Sequence, residues 1–577
     1  MWYSGRLEKI IVVFVLLLAG FLIFWRLDLA DTLTDEVELA FRSVGYLDFL
    51  ATPHQTALYE WFQQAPWWAR MSFHDHPPLV FLLEHLTFRL FSDSVFFLRL
   101  PFALIGLGSL WALYWLANNL FNAKVALVAL LLASVNTYQV WISRIGLQEG
   151  PVIFFALLSL GLFVRATKST ERELRWRDFA FWGVVTGLAF LTKYTAFVLV
   201  PLVFGYAWLV VPGVLRNKKF YAGLALALAV FSPVLLYNLF LYFAVGHFDL
   251  QFATLFGQQT PEWSGQLGKQ IGSIGQRLVS FYPNFWHNAS PGFVAGYLAV
   301  LSGTGYWFLK KSQENRSRLK FLLFSLFTIH LLILLIGPSQ RFLALLVPFA
   351  ILTLAYGIVQ FFDSPRAVLR RAGYILFSLL LAYETFLCYQ TNLAISAPRF
   401  PWSFSMLRYE SSSWGYNELE RYLVELLDHN RPAVSVALPE RLAFIQAVRE
   451  NDFRKIQNKP VLAALIVYDP RINNLAKLWI YDRRYYYDGW PFVSIDEYLE
   501  VERLAPGYFA RLNFTDYYYV AASDHLFTGG NSGVSGAAPE FQKLLQARND
   551  QQVTNIYNRL GEPVFTIYHS PQPLNWL

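Results

Sequence analysis

Two adjacent carboxylates, Asp35 and Glu36, are the first residues in the chain that could do chemistry. They follow an apolar segment, residues 10–25, about as long as a membrane-crossing helix at ~1.5 Å per residue. Acidic groups beside a membrane span are costly near lipid, so their presence predicts a polar surrounding. A fixed carboxylate there can act as a general base toward a hydroxyl or an amine. The simpler alternative is that both acids solvate the first turn of a surface helix capped by Thr34.

Further polar residues follow at the ends of later apolar segments. The topology predicted from the apolar segments places all of them on the membrane face that carries Asp35. Lys and Arg side chains at a membrane surface suit phosphate oxygens, and an apolar groove between spans suits a lipid tail. These residue types predict transfer of a group from a lipid phosphate to an acceptor on the outer side. The candidates are His74–Asp75–His76, Arg144 and Glu149, Lys193, His287 and Arg341.

Each candidate also has a purely structural interpretation. Lys193 and Arg341 could extend their charged ends to lipid headgroups. Arg144 and Glu149 could pair with each other and brace their loop, and His287 could be an ordinary hydrogen-bonded loop residue. Imidazole and carboxylate groups suit a metal ion, but three adjacent residues cannot easily all reach one ion. The tripeptide at residues 74–76 therefore does not predict a complete metal site by itself.

Composition places the chain in a membrane. Of its 577 residues, 55 % are hydrophobic and 15 % are charged, against about 25 % charged in an average soluble domain. The net charge of +7 does not indicate nucleic-acid binding, because the basic residues lie mostly in short loops between apolar segments. Cys388 is the only cysteine, so an intrachain disulfide is excluded. Arg6 and Lys9 precede the first apolar segment without a persuasive cleavage site, and we expect an uncleaved signal anchor.

The apolar segments predict a polytopic α-helical membrane protein with about eleven transmembrane helices. They lie at residues 10–25, 98–120, 125–141, 151–166, 179–191, 195–211, 221–243, 291–309, 321–336, 342–361 and 372–389. With that count, the basic loops share one side with the N-terminus, which the positive-inside rule assigns to the cytoplasm. These loops are residues 168–177, 216–219, 310–320 and 366–371.

Residues 77–91 are apolar but short, and they carry Glu84, His85 and Arg89. An amphipathic helix in the membrane interface fits this segment better than a span. The first external loop is then long, from about residue 26 to residue 97.

After residue 390 the pattern changes to alternating helical and strand segments. It predicts helices at residues 416–428, 441–450, 495–502 and 538–547, and strands at residues 433–438, 461–468, 478–481, 517–521 and 564–568. We therefore expect two domains: a membrane domain at residues 1–390 and an α/β domain at residues 391–577. The span count places the second domain outside the cytoplasm.

Six ordered motifs resemble the GT-C integral-membrane glycosyltransferases, and most closely their protein O-mannosyltransferase and lipid A aminoarabinose transferase branch. The resemblance covers about residues 1–390. The absence of a Trp-Trp-Asp-Tyr-Gly sequence argues against the oligosaccharyltransferase branch. The motifs are Thr34-Asp35-Glu36…Ala40, His76-Pro77-Pro78-Leu79, Ser143-Arg144…Glu149, Leu191-Thr192-Lys193, Ser232-Pro233…Asn238 and Arg341-Phe342…Pro348.

The resemblance implies a polyprenyl-phosphate sugar donor and transfer with inversion. Asp35 matches the acid of the first loop that acts as base in this family, and Glu36 matches its neighbour. Lys193 matches the lysine near the donor phosphate.

Asp75 and His76 match the two polar positions before the family's proline motif. The resemblance requires no cofactor, but it is compatible with a divalent metal ion. In one branch of the family, the residue at the Asp75 position and a loop histidine hold such an ion. His287 matches that histidine. Two departures matter. His76 stands where several relatives have Lys, which removes one expected phosphate contact, and Glu149 stands where Asp is more common, which keeps the charge but changes its reach.

The sequence therefore predicts a membrane enzyme that moves a hexosyl or pentosyl group from a polyprenyl phosphate to a lipid, glycan or protein acceptor. Asp35 is the expected base, and the reaction is expected on the extracytoplasmic face. One alternative is a transporter or lipid flippase, although the chain has no internal repeat and its charges lie at span ends rather than at the midplane. The other is a non-catalytic scaffold whose external domain binds a partner.

Overall fold

The computed structural model describes residues 5–49, 58–62, 65–168, 175–258, 272–310, 313–395, 400–403, 405–407, 414–527, 536–548 and 551–574. The chain divides into two compact units. One, the membrane unit, comprises Met1–Leu27 and Asp48–Tyr409. The other, the C-terminal unit, comprises Asp28–Leu47 and Glu410–Leu577, so it includes the segment that carries Asp35.

Helices dominate the first part of the chain. In chain order they are α1 (Gly5–Phe24), α2 (Glu36–Gly45), α3 (Leu79–Leu90), α4 (Val95–Leu120), α5 (Ala123–Val135), α6 (Thr137–Arg144), α7 (Glu149–Thr167), α8 (Trp176–Phe190), α9 (Leu199–Leu209), α10 (Lys218–Val245), α11 (Leu250–Leu255), α12 (Ile274–Asn288), α13 (Pro291–Lys310), α14 (Gln313–Ile336), α15 (Gln340–Leu343), α16 (Val347–Phe362) and α17 (Ala367–Cys388). All except α2 belong to the membrane unit.

Every predicted apolar segment overlaps one or more of these helices, but the count of eleven spans is not confirmed. Within the described residues, seven helices are long and apolar enough to cross a membrane, or eight if the bent pair α5–α6 is one span. The multiple long apolar helices make this an integral membrane protein.

The segments that differ from the prediction are broken or short. The segment predicted at residues 125–141 bends by 63° between α5 and α6. At the break, the Asn136 side chain accepts a hydrogen bond from Gln139 N and so starts a new helix. One further segment is a shorter apolar helix, Tyr194–Leu209, and α8 has only 15 residues. Apolar composition alone does not reveal where a helix breaks.

The segment predicted to lie in the interface is helical, as expected. It forms α3, which has 12 residues and buries Val80, Phe81, Glu84 and Phe88 along one stripe. Leu79 N, at its start, donates a hydrogen bond to Leu191 O at 3.0 Å, which joins α3 to the turn after α8. The placement of α3 in a membrane interface stays a prediction.

The C-terminal unit has a five-stranded mixed sheet. Its strand order is β4-β3-β5-β7-β6, in which β3 pairs parallel with β4 and β5, and β7 pairs antiparallel with β5 and β6. All five residues of β3 are buried. The strands are β1 (Arg431–Pro432), β2 (Val461–Leu462), β3 (Ala464–Tyr468), β4 (Phe492–Ser494), β5 (Asp516–Ala522), β6 (Gln552–Tyr557) and β7 (Pro563–Ser570); the helices are α18 (Tyr416–Leu427), α19 (Ala443–Ile456), α20 (Asn474–Lys477), α21 (Ile495–Leu504) and α22 (Ala537–Gln546).

The α/β character of this unit is confirmed, and two of the strand predictions are wrong. Residues 478–481 form a helical turn, Leu478–Asp482, in which Trp479, Ile480 and Tyr481 are all buried. A short apolar run that is buried on every side has no periodicity to separate strand from helix. Residues 433–438 are irregular, with the strand β1 just before them. Strands β4 and β6 were not predicted.

Candidate functional site

Asp35 occupies the N-cap position of α2, but its side chain makes no capping hydrogen bond. The cap comes instead from Thr34, whose Oγ1 accepts a hydrogen bond from Glu36 N at 3.4 Å. Thr34 therefore caps the helix, as the simpler interpretation predicts. The half-buried carboxylate of Asp35 does not cap the helix start. Glu36, the first helical residue, is fully buried. Both acids therefore lie at a helix start in the C-terminal unit.

In the membrane unit, Lys193 and Glu149 form a buried ion pair. Lys193 Nζ lies 2.7 Å from Glu149 Oε1, and the two residues are 9 % and 1 % exposed. Glu149 is the first residue of α7, where the helix dipole favours a negative charge. Lys193 lies in extended backbone between α8 and a 3₁₀ turn at Tyr194–Val198. Burial in an ion pair disagrees with the interpretation that Lys193 only extends to lipid headgroups.

Arg341 joins this pair through an aromatic ring. Lys193 Nζ lies 5.4 Å from the centroid of the Phe342 ring, and Arg341 Cζ lies 5.0 Å from the same centroid. Both separations fall within the cation–π range. The structure thus brings Glu149, Lys193 and Arg341 together around Phe342, although they are far apart in the sequence. We call these four residues the cationic cluster.

The His74–Asp75–His76 tripeptide is held by its first residue. His74 Nδ1 lies 2.5 Å from Asp48 Oδ2, and His74 N donates to the same oxygen at 3.0 Å. Both side chains are buried. Asp75 and His76 face each other, with 3.0 Å between Asp75 Oδ1 and His76 Nδ1. His74 therefore has a structural role, which presents Asp75 and His76 at the start of α3.

A buried acid that sequence reasoning missed lies close to Asp75 and Lys193. Asp249 accepts hydrogen bonds from Tyr194 Oη and from Asn238 Nδ2, the latter at 3.0 Å, and its backbone N donates to Asn238 Oδ1 at 2.9 Å. Burial, and to a lesser extent the charge of Asp75, raises the pKa of Asp249 above its usual range. Because Tyr194 is the neighbour of Lys193, this network fixes the backbone next to the cationic cluster. The only sequence feature that pointed to this network was Asn238, in the motif Ser232-Pro233…Asn238.

Arg144 is not brought to the cluster. Its guanidinium caps the C-terminal end of α1, where helix carbonyls lack partners. Glu149, which the structural interpretation made a loop partner of Arg144, pairs with Lys193. Arg144 donates to the carbonyl oxygens of Leu22 at 2.8 Å, Ile23 at 2.8 Å, Trp25 at 3.0 Å and Arg26 at 2.9 Å.

His287 lies in the last turn of α12 with an exposed side chain, and its carbonyl oxygen accepts a hydrogen bond from Met406 N at 2.8 Å. Within the described part of the chain, no group of three or more His, Cys, Asp or Glu side chains is arranged to hold a metal ion. The metal site that the resemblance admits at Asp75 and His287 stays a prediction.

Comparison with known proteins matches the residues around the cationic cluster. Residues 75–237 match the family model "Dolichyl-phosphate-mannose-protein mannosyltransferase". That range contains Asp75, His76, Glu149 and Lys193. The matched range begins after Asp35 and ends before Arg341.

Two Bacillus subtilis (strain 168) proteins are similar over part of their length. "Putative mannosyltransferase YycA" is 30 % identical over 146 residues, which are 25 % of this chain and 21 % of the relative. "Putative mannosyltransferase YkcB" is 27 % identical over 160 residues, 28 % of this chain and 22 % of the relative. The match thus spans about a fifth of the length of these curated relatives.

The fold is similar to that of a solved structure along the whole chain. ArnT from Cupriavidus metallidurans, solved bound to undecaprenyl phosphate, superposes with a TM-score of 0.52 at 12 % identity, covering 100 % of both chains. The expected resemblance is therefore confirmed in both sequence and fold. This chain has the GT-C fold, and its residues 75–237 match the model of the dolichyl-phosphate-mannose-protein mannosyltransferase family.

Proposed function

We propose that this protein is a glycosyltransferase that moves a sugar from a polyprenyl phosphate to an acceptor on the extracytoplasmic face, with inversion. The observation that carries the proposal is the cationic cluster: two cations on one aromatic ring, one of them paired with a buried carboxylate. The family match and the fold support the reaction class.

The cluster suits the phosphate end of such a donor. A phosphate carries several acceptor oxygens that an ammonium and a guanidinium can bind together. The Phe342 ring beside the two cations offers an apolar surface for the first carbons of the lipid. ArnT was solved with undecaprenyl phosphate, which has this chemistry.

Glu149 suits the sugar end of the donor. Its Oε1 is paired with Lys193, whereas its buried Oε2 has no hydrogen-bond partner among the described residues. A buried carboxylate oxygen without a partner is costly, and a sugar hydroxyl could donate to it. Glu149 would then bind the sugar while it holds Lys193 toward the phosphate.

The transfer itself needs a base and a stabilised leaving group. The acceptor hydroxyl attacks the anomeric carbon, the bond from that carbon to the phosphate oxygen breaks, and one displacement inverts the configuration. We assign Asp35 as the base that takes the hydroxyl proton, with Glu36 as its orienting neighbour, on the family resemblance and on the absence of a capping role for the Asp35 side chain. Lys193 and Arg341 would stabilise the charge of the departing polyprenyl phosphate. No step is assigned to a metal ion.

The proposal includes an orientation. The basic loops at residues 168–177 and 310–320 would be cytoplasmic, with the N-terminus, and the C-terminal unit extracytoplasmic. Labelling of single introduced cysteines in a Cys388→Ser background reads this orientation, and a C-terminal unit that is labelled only from the cytoplasm would contradict it.

The direct test of the function uses purified full-length protein in lipid nanodiscs. Undecaprenyl-phosphate mannose and undecaprenyl-phosphate aminoarabinose are supplied separately, with a membrane-lipid extract as acceptor, and products are identified by mass spectrometry. We expect one donor to yield undecaprenyl phosphate and a glycosylated acceptor. Translocation of intact donor across a vesicle bilayer, without sugar transfer, would favour the flippase alternative instead.

A further inference from the structure

The segment that carries Asp35 and Glu36 is structurally part of the C-terminal unit, more than 360 residues away in the sequence. We infer that Asp31, together with Asn417 and Tyr487, forms a latch that positions this segment for catalysis. The inference deepens the proposed function and rests on it, because it gives the C-terminal unit the task of placing the proposed base.

Asp31 caps a helix that cannot cap itself. Helix α18 begins after Gly415, which has φ +88° and no side chain to accept a hydrogen bond. The buried Asp31 carboxylate takes over this role. Its Oδ1 accepts from Asn417 N at 2.9 Å, and its Oδ2 accepts from Gly415 N at 3.2 Å and also from Trp414 N. A carboxylate that accepts several backbone N–H groups at a helix start is held strongly in place.

Asn417 makes the contact reciprocal. Its Nδ2 donates to Asp28 O at 2.8 Å and to Ala30 O at 2.7 Å. The backbone just before Thr34 and Asp35 is therefore fixed by two sets of contacts. Its carbonyl groups at Asp28 and Ala30 bind Asn417, and the Asp31 side chain binds the start of α18.

Tyr487 holds the other end of the segment. Its hydroxyl donates to Phe41 O at 2.9 Å, and its ring packs on Phe41 with 5.4 Å between centroids. It also lies so close to Gly45 that a Cβ there would approach its Cε1 to 2.7 Å. Helix α2, which begins directly after Asp35, is thus anchored before its first turn and near its C-terminal end.

These contacts exceed what a folded surface loop needs. A loop that only connects two elements would be expected to satisfy its polar groups locally or with water. Here Asn417 and Tyr487, both distant in the sequence, bind the segment of about 20 residues that bears the proposed base, and the buried Asp31 within that segment binds the start of α18. Asp31, Asn417 and Tyr487 have no proposed contact with donor or acceptor, so they are positioning residues.

The test combines hydrogen–deuterium exchange with kinetics on the full-length protein in nanodiscs. Asp31→Ala removes the acceptor for three backbone N–H groups. Tyr487→Phe keeps the ring contacts and removes one hydrogen bond. This milder variant still tests the latch if Asp31→Ala fails to fold. Glu425→Ala is the matched control, because it removes an acidic side chain from the exposed face of the same helix, α18.

We expect amide exchange of residues 36–45 to become roughly tenfold faster or more in Asp31→Ala, less so in Tyr487→Phe, and to stay unchanged in Glu425→Ala. The transfer kcat should fall in the same order while the KM for undecaprenyl-phosphate sugar stays constant, because the proposed donor contacts all lie in the membrane unit. Unchanged exchange in both latch variants would overturn the latch, whatever the enzyme does.

Faster exchange with unchanged kcat would overturn the positioning role. An Asp35→Asn variant measured in parallel separates this result from failure of the proposed function: if Asp35→Asn is also fully active, the base assignment itself is wrong. If Asp35→Asn is inactive while the latch variants keep full kcat, the base assignment stands and only the latch's catalytic role is rejected.

Discussion

Glu149 Oε1 lies 2.7 Å from Lys193 Nζ in a buried pair that joins the start of α7 to the turn after α8. A buried ion pair is costly to desolvate and is often no more stable than an apolar substitute. Its presence beside Arg341 and Phe342 is explained if the lysine is needed for a phosphate and the glutamate keeps it oriented until the donor arrives.

Lys193→Met should abolish tight donor binding and also lower stability. Methionine keeps the apolar stem, but it leaves the Glu149 carboxylate buried without its partner, a loss of about 3–5 kcal/mol by the usual cost of breaking a buried pair. The double variant Lys193→Met/Glu149→Gln should recover most of the melting temperature and none of the donor affinity. Recovery of both would show that Lys193 serves only to neutralise Glu149.

Arg341→Met should weaken donor binding without a large loss of stability. Arg341 is only partly buried and contacts the Phe342 ring, an interaction of about 0.5–1 kcal/mol at such sites. Titration with undecaprenyl phosphate and a thermal-unfolding scan measure the two effects separately. Unchanged affinity would return Arg341 to the role of a headgroup anchor.

Arg144→Met should show the opposite behaviour. Its guanidinium donates to four carbonyl oxygens at the end of α1, and hydrogen bonds to charged groups contribute about 1.5–3 kcal/mol each. We expect a clearly lower melting temperature with donor affinity unchanged in the fraction that stays folded. Arg341→Met is the matched comparison, since it removes the same side chain from the cluster. A selective loss of donor binding in Arg144→Met would instead give Arg144 a substrate role.

The sequence could predict that Lys193 and Arg341 share a site, because residues at the same ends of membrane spans must converge on one face. It could not predict the partner of Glu149. Arg144 is near in the sequence and Lys193 is not, and the choice between them depends on how α1, α7 and α8 pack. Periodicity carries no information about such pairings.

The same limit applies to the segment around Asp35. Its apolar flanks place it between two spans, which predicts an external loop of the membrane domain. The contacts that assign it to the C-terminal unit are made by Asn417 and Tyr487, and no local pattern reveals them. Likewise, the helical turn at Leu478–Asp482 looks like a strand because its apolar residues are buried on all sides.

The latch should be sensitive to pH through Asp31. Burial raises the pKa of Asp31 most strongly, and the charge of Glu418 raises it further. Hydrogen bonds from Asn417 and Trp414 lower the pKa, as does the charge of Arg559. The resulting pKa is about 6. Because this pKa lies above the unfolded value of 3.8, protonation of Asp31 stabilises the folded state. The contribution is complete below pH 3.8 and is lost as the pH rises through 6.

Asp31→Asn cannot titrate, so the difference in melting temperature between wild type and Asp31→Asn isolates this effect. We expect wild type to gain stability relative to the variant when the pH is lowered from 7.5 to 5, by about 1.4 kcal/mol, because pH 5 lies about one unit below the folded pKa and one unit corresponds to 1.36 kcal/mol. A gap that stays constant over this range would show that the pKa of Asp31 is not raised.

The decisive residue for the mechanism is Asp35. The hydroxyl of an acceptor is a poor nucleophile at neutral pH, so removal of its proton by a positioned carboxylate should accelerate transfer by roughly 10²–10⁴-fold. Asp35→Asn keeps the size of the side chain and cannot accept the proton. We expect kcat to fall by that factor with the KM for donor nearly unchanged, because the interaction is used only in the transition state. Glu36→Gln is the matched control; its buried side chain should cost less activity and more stability. Near-wild-type transfer by Asp35→Asn would make Asp35 a structural residue and would require another base.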